Sequence, residues 1–272
     1  MDSFTPPTKL ISFAFRAFGS TLRVDSNDAE LLEQARSETS YALINKLDFI
    51  EPDSATPDRT YGLFIDGTTY RLYKDGEEST FGESRENFIN FFNAIIRVAV
   101  GEHSESLVFL HAGVVGWKGK AIVLPANSFS GKTTLVAELV KQGAEYYSDE
   151  YAVIDADGLV HPFERDLSIR VDDGDTRVPI SSLGGKAGTT PLPLGILLLT
   201  SFEPGASFTP ERLSLGTAIV ETIPFAIPLL LQPERTIEQL KNALTNAITI
   251  KTPRGEASEA AAKVLEYADG NG

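Results

Sequence analysis

The sequence contains no cysteine and only three histidines in 272 residues. Without cysteine the chain can form no disulfide, no thiolate nucleophile and no cysteine-ligated zinc site. The absence also fits a reducing compartment, so we expect a cytoplasmic protein. The histidines, His103, His111 and His161, are too few for a histidine-rich metal site.

Basic residues and long apolar runs are also scarce. Lysine and arginine number 24 against 38 aspartates and glutamates, which gives a formal net charge of −14. Such an acidic surface repels a phosphate backbone, so we predict no nucleic-acid partner. The most apolar stretches, residues 193–200 and 223–231, are far shorter than the ~20 residues that cross a bilayer. We therefore predict no membrane span and place both stretches in a core.

Hydrophobic periodicity divides the chain into an N-terminal α+β segment, residues 1–101, and a second domain, residues 102–272. In the first, alternating apolar residues near Ile11 predict a strand, and residues 61–73 predict a hairpin in which Asp66-Gly67 supplies positive φ angles. Ser84 is placed to cap an amphipathic helix. The apolar face of that helix is predicted from Phe88, Phe91, Phe92, Ile95, Ile96 and Ala99.

The second domain alternates strand and helix signals, which indicates an α/β fold. Strands are predicted at 107–115, 120–124, 145–154 and 194–200, and helices at 132–143, 234–248 and 256–267.

The strongest motif in the chain is a phosphate-binding loop between a predicted strand and a predicted helix. In the pattern G-x-x-x-x-G-K-[ST], backbone N–H groups and the helix dipole face the phosphates, the lysine reaches the β/γ oxygens, and the hydroxyl binds Mg²⁺. An ordinary serine- and glycine-containing turn before a helix is the alternative. The residues that we predict to hold ATP are Ala126, Asn127, Ser128, Phe129, Ser130, Gly131, Lys132, Thr133 and Thr134.

Asp149 and Glu150 are adjacent acids near the end of the next strand-like run. A magnesium nucleotide site needs a carboxylate for the ion, and a kinase needs a group that orients the attacking hydroxyl. Adjacent residues at a strand end point to opposite sides, so one acid can serve each role. A solvated acidic pair is the alternative. His111 lies within an apolar strand, where a histidine is more often a packed residue than a catalytic one.

Taken together, these segments resemble the catalytic domain of the HPr kinase/phosphorylase family. That family has a histidine before the loop and an acidic pair after a short helix that ends in glycine. The likeness covers residues 105–155 well and the remainder weakly. The residues that carry it are Leu110-His111-Ala112-Gly113, the loop at 126–133, Leu139 through Gly143, and Tyr147-Ser148-Asp149-Glu150.

The resemblance implies a role for each matching residue. Lys132 would bind the β/γ-phosphates, and Thr133 and Asp149 would hold Mg²⁺. Glu150 would stand where the family has its catalytic aspartate, and His111 would orient that acid or the phosphate. The resemblance also implies self-association and a mixed-sheet P-loop fold of the kind shared with phosphoenolpyruvate carboxykinases.

The chain departs from the family at several positions. Ala126 and Phe129 replace two loop glycines, and Glu150 is one methylene longer than aspartate. These differences leave both the HPr substrate and the phosphorylase activity unassigned. Arg165, Arg170 and Lys186 are candidate phosphate contacts, although surface ion pairs explain them equally well.

We therefore expect an ATP- and Mg²⁺-dependent kinase that phosphorylates a hydroxyl group, most simply a serine on a protein or peptide. A kinase for a small hydroxylated molecule is one alternative. A regulatory module of the same fold that binds ATP without transferring phosphate is another. A decarboxylating carboxykinase is disfavoured because the chain is short and shows no second set of metal ligands.

Overall fold

A computed structural model describes residues 4–44, 46–127, 130–171 and 174–271, without the side chains of residues 168–171 and 174–177. Contacts between Cα atoms divide the chain into two compact units, with the boundary between Ser106 and Leu107. Each unit combines helices with a sheet of mixed strand directions, so the chain is mixed α/β. Within the described ranges, every helix is too short or too polar to cross a bilayer.

The first unit is a six-stranded sheet with two helices. The strand order is β3-β1-β2-β4-β5-β6, and all neighbours are antiparallel except the parallel pair β2–β4. The elements are β1 (Ile11–Ala17), β2 (Ser20–Ser26), α1 (Ala29–Ala42), β3 (Leu47–Ile50), β4 (Arg59–Asp66), β5 (Thr69–Lys74), β6 (Glu77–Gly82) and α2 (Arg85–His103).

The predicted hairpin and the predicted helix cap in this unit are confirmed. Strands β4 and β5 pair as predicted, with Asp66 opposite Thr69. The predicted positive φ is found at Gly67 but is wrong for Asp66, because Asp66 is the last residue of the extended strand β4. Ser84 caps α2 by accepting a hydrogen bond from the Asn87 N–H. The predicted apolar face is wrong at Phe91, which is 46% exposed, because the buried stripe passes through its neighbours instead.

The second unit is built around an eight-stranded sheet with the order β11-β10-β7-β8-β14-β16-β15, and β9 also pairs with β7. Its strands and helices are β7 (Val108–Trp117), β8 (Lys120–Pro125), α3 (Lys132–Lys141), β9 (Glu145–Ser148), β10 (Tyr151–Ile154), β11 (Leu159–His161), β12 (Leu167–Val171), β13 (Gly174–Val178), β14 (Leu192–Phe202), β15 (Glu211–Arg212), α4 (Leu215–Thr222), α5 (Pro233–Thr245), β16 (Ile248–Arg254) and α6 (Ala257–Asn271).

The centre of this sheet is covered by helices on both faces. Helices α3 and α6 contribute to one core cluster, together with Ile122 and Leu198. Helices α4 and α5 contribute to the other, together with Val123 and Leu197. Because both faces are buried, strands β8 and β14 are almost continuously apolar, as parallel strands usually are.

Two predictions for the second unit are wrong. The run at 145–154 is two strands, β9 and β10, because the chain bends at Asp149-Glu150. The Ser148 hydroxyl stabilises the bend by accepting hydrogen bonds from the N–H groups of Glu150 and Tyr151, at 3.0 and 2.9 Å. Residues 223–231 do not form a core segment: they make two short 3-10 turns, each with a proline near its start, and Leu230 is 93% exposed.

Candidate nucleotide-binding site

Helix α3 begins at Lys132, directly after Gly131 of the phosphate loop, and lies close to β7. Gly131 precedes it with a left-handed backbone (φ 77°), which favours glycine. Gly113 on β7 faces the helix: a Cβ at this position would lie 2.6 Å from the Val136 side chain and 3.1 Å from Cγ of Lys132. The glycine therefore allows the close approach that brings Lys132 next to His111.

Lys132 and His111 are in direct contact. Lysine Nζ lies 2.9 Å from histidine Nε2 and 3.5 Å from the carbonyl oxygen of Ala126. An ammonium group can only donate, so Nε2 is the acceptor and the histidine is neutral with its proton on Nδ1. Burial lowers the pKa of Lys132 to about 8, an effect that the Asp149 carboxylate partly opposes.

The lowered pKa predicts that nucleotide binding weakens in mild alkali. Only the protonated lysine attracts phosphate, so the affinity for ATP should fall above pH 8 by up to about tenfold per pH unit. His111 and Asp149 are the other titratable groups that face the ammonium. Calorimetric titrations between pH 7 and 10 measure this slope.

Lys132→Ala is the control, because it removes the titrating group and should remove the slope. Without nucleotide, the protein should conversely gain stability from pH 8 to 10.5, since the unfolded lysine then holds a proton that the folded one has lost. A wild-type affinity that is constant across this range would contradict the assignment.

Asp149 is buried (7% exposed) and both of its oxygens accept hydrogen bonds. The Thr133 hydroxyl donates to Oδ2 at 3.2 Å, and the Tyr146 hydroxyl donates to Oδ1 at 3.0 Å. Burial, reinforced by the Asp149 charge, raises the pKa of Tyr146 far above its ordinary value, so the tyrosine remains a donor. Thr133 and Asp149 thus present adjacent oxygens of the kind that Mg²⁺ prefers.

This geometry predicts that Thr133→Ala weakens the dependence on magnesium more than it weakens binding of metal-free nucleotide. The hydroxyl is a candidate ligand of the ion, whereas the loop N–H groups would contact phosphate with or without the ion. Magnesium titrations of ATP binding in the wild type and the variant measure the difference. Superimposable titrations would show that Thr133 does not bind the ion and is simply a residue of the first helical turn.

Glu150 and Arg165 form an ion pair in which both side chains are largely buried. Glu150 also lies beside the histidine strand, because its carbonyl oxygen accepts a hydrogen bond from Ala112 N–H at 3.0 Å. Arg165, a predicted phosphate contact, is therefore held close to the acidic pair. Lys186 is exposed. Ser128, Phe129 and the side chain of Arg170 lie outside the described residues.

A cleft of about 1030 Å³ opens beside the loop. Ala126, Asn127, Ser130, Gly131 and Thr134 line one side, and the ends of β14 and β16 line the other. Three buried polar atoms in its lining have no hydrogen-bond partner among the described residues: Ser130 Oγ, Thr200 Oγ1 and Arg254 Nε. Because buried polar atoms are normally paired, these atoms indicate a place for a polar ligand or water.

Tyr146 and Arg254 are two residues of this region that the sequence did not single out. Tyr146 lies in the strand after α3, where an aromatic residue is common, and nothing in the local sequence indicates a role for its hydroxyl. Arg254 ends β16, in which the consecutive β-branched residues Ile248, Thr249 and Ile250 are typical of a strand. Only the parallel pairing of β14 with β16 brings this arginine to the loop.

The part of the chain that the structure describes contains no group of three or more His, Asp or Glu side chains arranged to hold a metal. A nucleotide-bound Mg²⁺ does not require one, since it is usually held by one or two carboxylates together with substrate phosphates and water. The Thr133–Asp149 oxygen pair fits that kind of ion.

No protein-family model matches the chain, and no curated protein matches it. The interpretation of the site therefore depends on its own geometry and on the loop motif.

Proposed function

We propose that this protein is an ATP- and Mg²⁺-dependent kinase resembling HPr kinase, which transfers the γ-phosphoryl group to a hydroxyl, most simply a serine of a protein or peptide. The proposed fold is the mixed-sheet P-loop fold of HPr kinases and phosphoenolpyruvate carboxykinases. The observation that carries the proposal is the convergence of Lys132, Thr133, Asp149 and His111 at the N-terminus of α3.

ATP fits the chemistry of this region in two ways. The start of α3 offers N–H groups, a positive helix end and the Lys132 ammonium to the phosphates. The adjoining cleft is large enough for a nucleoside and presents hydroxyl groups as well as the exposed ring of Phe202. The Ser130 and Thr200 hydroxyls, which have no hydrogen-bond partner within the described ranges, would find partners there.

Thr133 and Asp149 would hold the magnesium ion, which supplies charge neutralisation of the phosphate oxygens when bound. Tyr146 keeps the Asp149 carboxylate oriented by donating to its second oxygen. Lys132 holds phosphate oxygens, and His111 fixes the lysine through their contact. Positioning of this kind supplies most of the catalysis in phosphoryl transfer.

Glu150 is the proposed base for the acceptor hydroxyl. Its carboxylate lies on the same bend as Asp149, so the metal ligand and the base come from adjacent residues. Arg165 fixes the rotamer of Glu150 through their ion pair. The acceptor and the self-association implied by the resemblance stay predictions.

The ion pair also favours a second candidate, a nucleotide-binding regulatory module without phosphoryl transfer. A carboxylate paired with arginine is a weaker base, because the neighbouring cation favours its ionised form. Such a module would bind ATP and be stabilised by it, but would transfer no phosphate.

Incubation with γ-labelled ATP, Mg²⁺ and a library of serine-containing peptides separates the two candidates. A kinase is expected to label serine and to release ADP, and Lys132→Ala should abolish the labelling. ATP binding without any label in peptide or protein, and without ADP release, would exclude the kinase and leave the regulatory module.

A further inference from the structure

Arg254 is a buried cation at the C-terminal end of β16, and it contacts the phosphate loop. It is 4% exposed, and its Nη2 donates to the carbonyl oxygens of Ser130 and Gly131, both at 3.1 Å. Gly131 leaves room for this contact, since a Cβ there would lie 2.6 Å from Nη2. A side chain at this loop position would displace the guanidinium from this contact, in addition to straining the left-handed backbone.

The position of Arg254 is fixed by the strands around it. The residue pairs with Phe202 in the parallel β14–β16 ladder, and its carbonyl oxygen accepts a hydrogen bond from Glu203 N–H at 2.9 Å. The guanidinium carbon also lies 5.5 Å from the centroid of the Phe202 ring, within cation–π range. The arginine thus links the loop to a rigid part of the fold.

Holding these two carbonyls sets the direction of the N–H groups that follow them. In a planar trans peptide the N–H points opposite to the preceding C=O. The Gly131 carbonyl also accepts from Leu135 N–H at 3.1 Å, so it points along α3 and the N–H of Lys132 points away from the helix. Arg254 consequently directs the N–H groups of Gly131 and Lys132 toward the place where a phosphate would bind.

The charge of Arg254 is only partly compensated. Glu256 attracts it electrostatically, but no ion pair to Arg254 is found among the described residues, and its buried Nε lacks a hydrogen-bond partner there. A partly compensated buried cation is costly, and a bound anion nearby lowers that cost. Both observations point to a polyphosphate at the loop rather than to an uncharged ligand.

We propose that Arg254 is a positioning residue that holds residues 130–132, the C-terminal end of the phosphate loop, in an anion-binding conformation and so gives the site its preference for polyphosphate over monophosphate nucleotides. This inference rests on the proposed ATP site and deepens it. Arg254 acts through the loop N–H groups and by its charge, and it takes no part in proton transfer.

The test compares binding of ATP and AMP in the wild type, Arg254→Gln and Arg254→Lys by calorimetry. Loss of two hydrogen bonds from a charged group should reduce the preference for ATP over AMP about tenfold or more in Arg254→Gln. Lysine keeps the charge but cannot match the planar guanidinium, so Arg254→Lys should fall in between. Arg235→Gln is the matched control: this partly buried arginine of α5 contacts the Leu107 carbonyl and lies outside the cleft lining.

Thermal unfolding of each variant shows whether it folds. If Arg254→Gln does not fold, the test is hydrogen exchange at the backbone amides of Gly131 and Lys132 in Arg254→Lys. These amides are expected to exchange faster than in the wild type. An unchanged ATP-to-AMP ratio in a folded Arg254→Gln, or unchanged amide exchange in Arg254→Lys, would overturn the inference while leaving the ATP site intact. A wild type that binds no ATP would overturn the proposed function and this inference together.

Discussion

Glu150→Gln is expected to lower phosphoryl transfer by about 10²–10⁴-fold while ATP affinity changes little, because a positioned base acts mainly on the transition state. Glutamine keeps the size of the side chain and one oxygen that can still accept from Arg165. The loss can then be assigned to charge. Initial rates with a verified acceptor measure the effect, and slow ATP hydrolysis serves until an acceptor is known.

The control is Glu145→Gln, the same substitution at an exposed position of β9. Thermal unfolding must accompany the rates, since Glu150→Gln removes one charge of a largely buried ion pair. His111 acts through Lys132, so His111→Ala should be non-additive with Lys132→Ala. If a folded Glu150→Gln variant transfers phosphate at the full rate, Glu150 is not the base, and Asp149 becomes the candidate base.

Lys132→Ala is expected to weaken ATP binding by about 10- to 100-fold, the usual loss for a hydrogen bond to a charged group. In the wild type, ATP with Mg²⁺ at ~100 times its dissociation constant should add ~2.7 kcal/mol to the free energy of unfolding. At the same ligand concentration, a 10- to 100-fold loss of affinity should leave the variant only about 1.4 to 0.4 kcal/mol of that stabilisation. Thermal unfolding with and without ATP measures both values.

Lys141→Ala, at the exposed end of the same helix, is the matched control and should retain the full ATP-induced shift. Burial disfavours the charged form of Lys132, so the nucleotide-free Lys132→Ala variant should be about as stable as the wild type. Equal ATP-induced shifts in wild type and Lys132→Ala would exclude the loop as the nucleotide site.

Local sequence patterns predict the elements whose structure is determined by residues close to them along the chain. The turn at Gly67 and the cap at Ser84 follow from backbone conformation and short-range hydrogen bonds. Helix α3 after Gly131 and the buried strand β14 were recognised for similar reasons. Each of these signals lies within a few residues of the feature that it specifies.

The features that the sequence patterns do not predict depend on contacts between residues far apart along the chain. Arg254 reaches the loop only through the pairing of β16 with β14, and no local pattern specifies that pairing. The break between β9 and β10 depends on hydrogen bonds to the Ser148 hydroxyl. The sequence does not indicate this break, because Ser148 lies within a run of strand-forming residues. Hydrophobicity alone predicts residues 223–231 to be in the core, because it cannot distinguish an exposed Leu230 from a buried one.

The central claim, that the loop holds a nucleotide by its β- and γ-phosphates, is tested most directly by calorimetric titration of the wild-type chain with ATP, ADP and AMP in the presence of Mg²⁺. We predict one saturable site that binds ATP and ADP at least about tenfold more tightly than AMP, since Lys132 and the loop N–H groups contact phosphates that AMP lacks. Absence of saturable binding, or equal affinity for ATP and AMP, would contradict it.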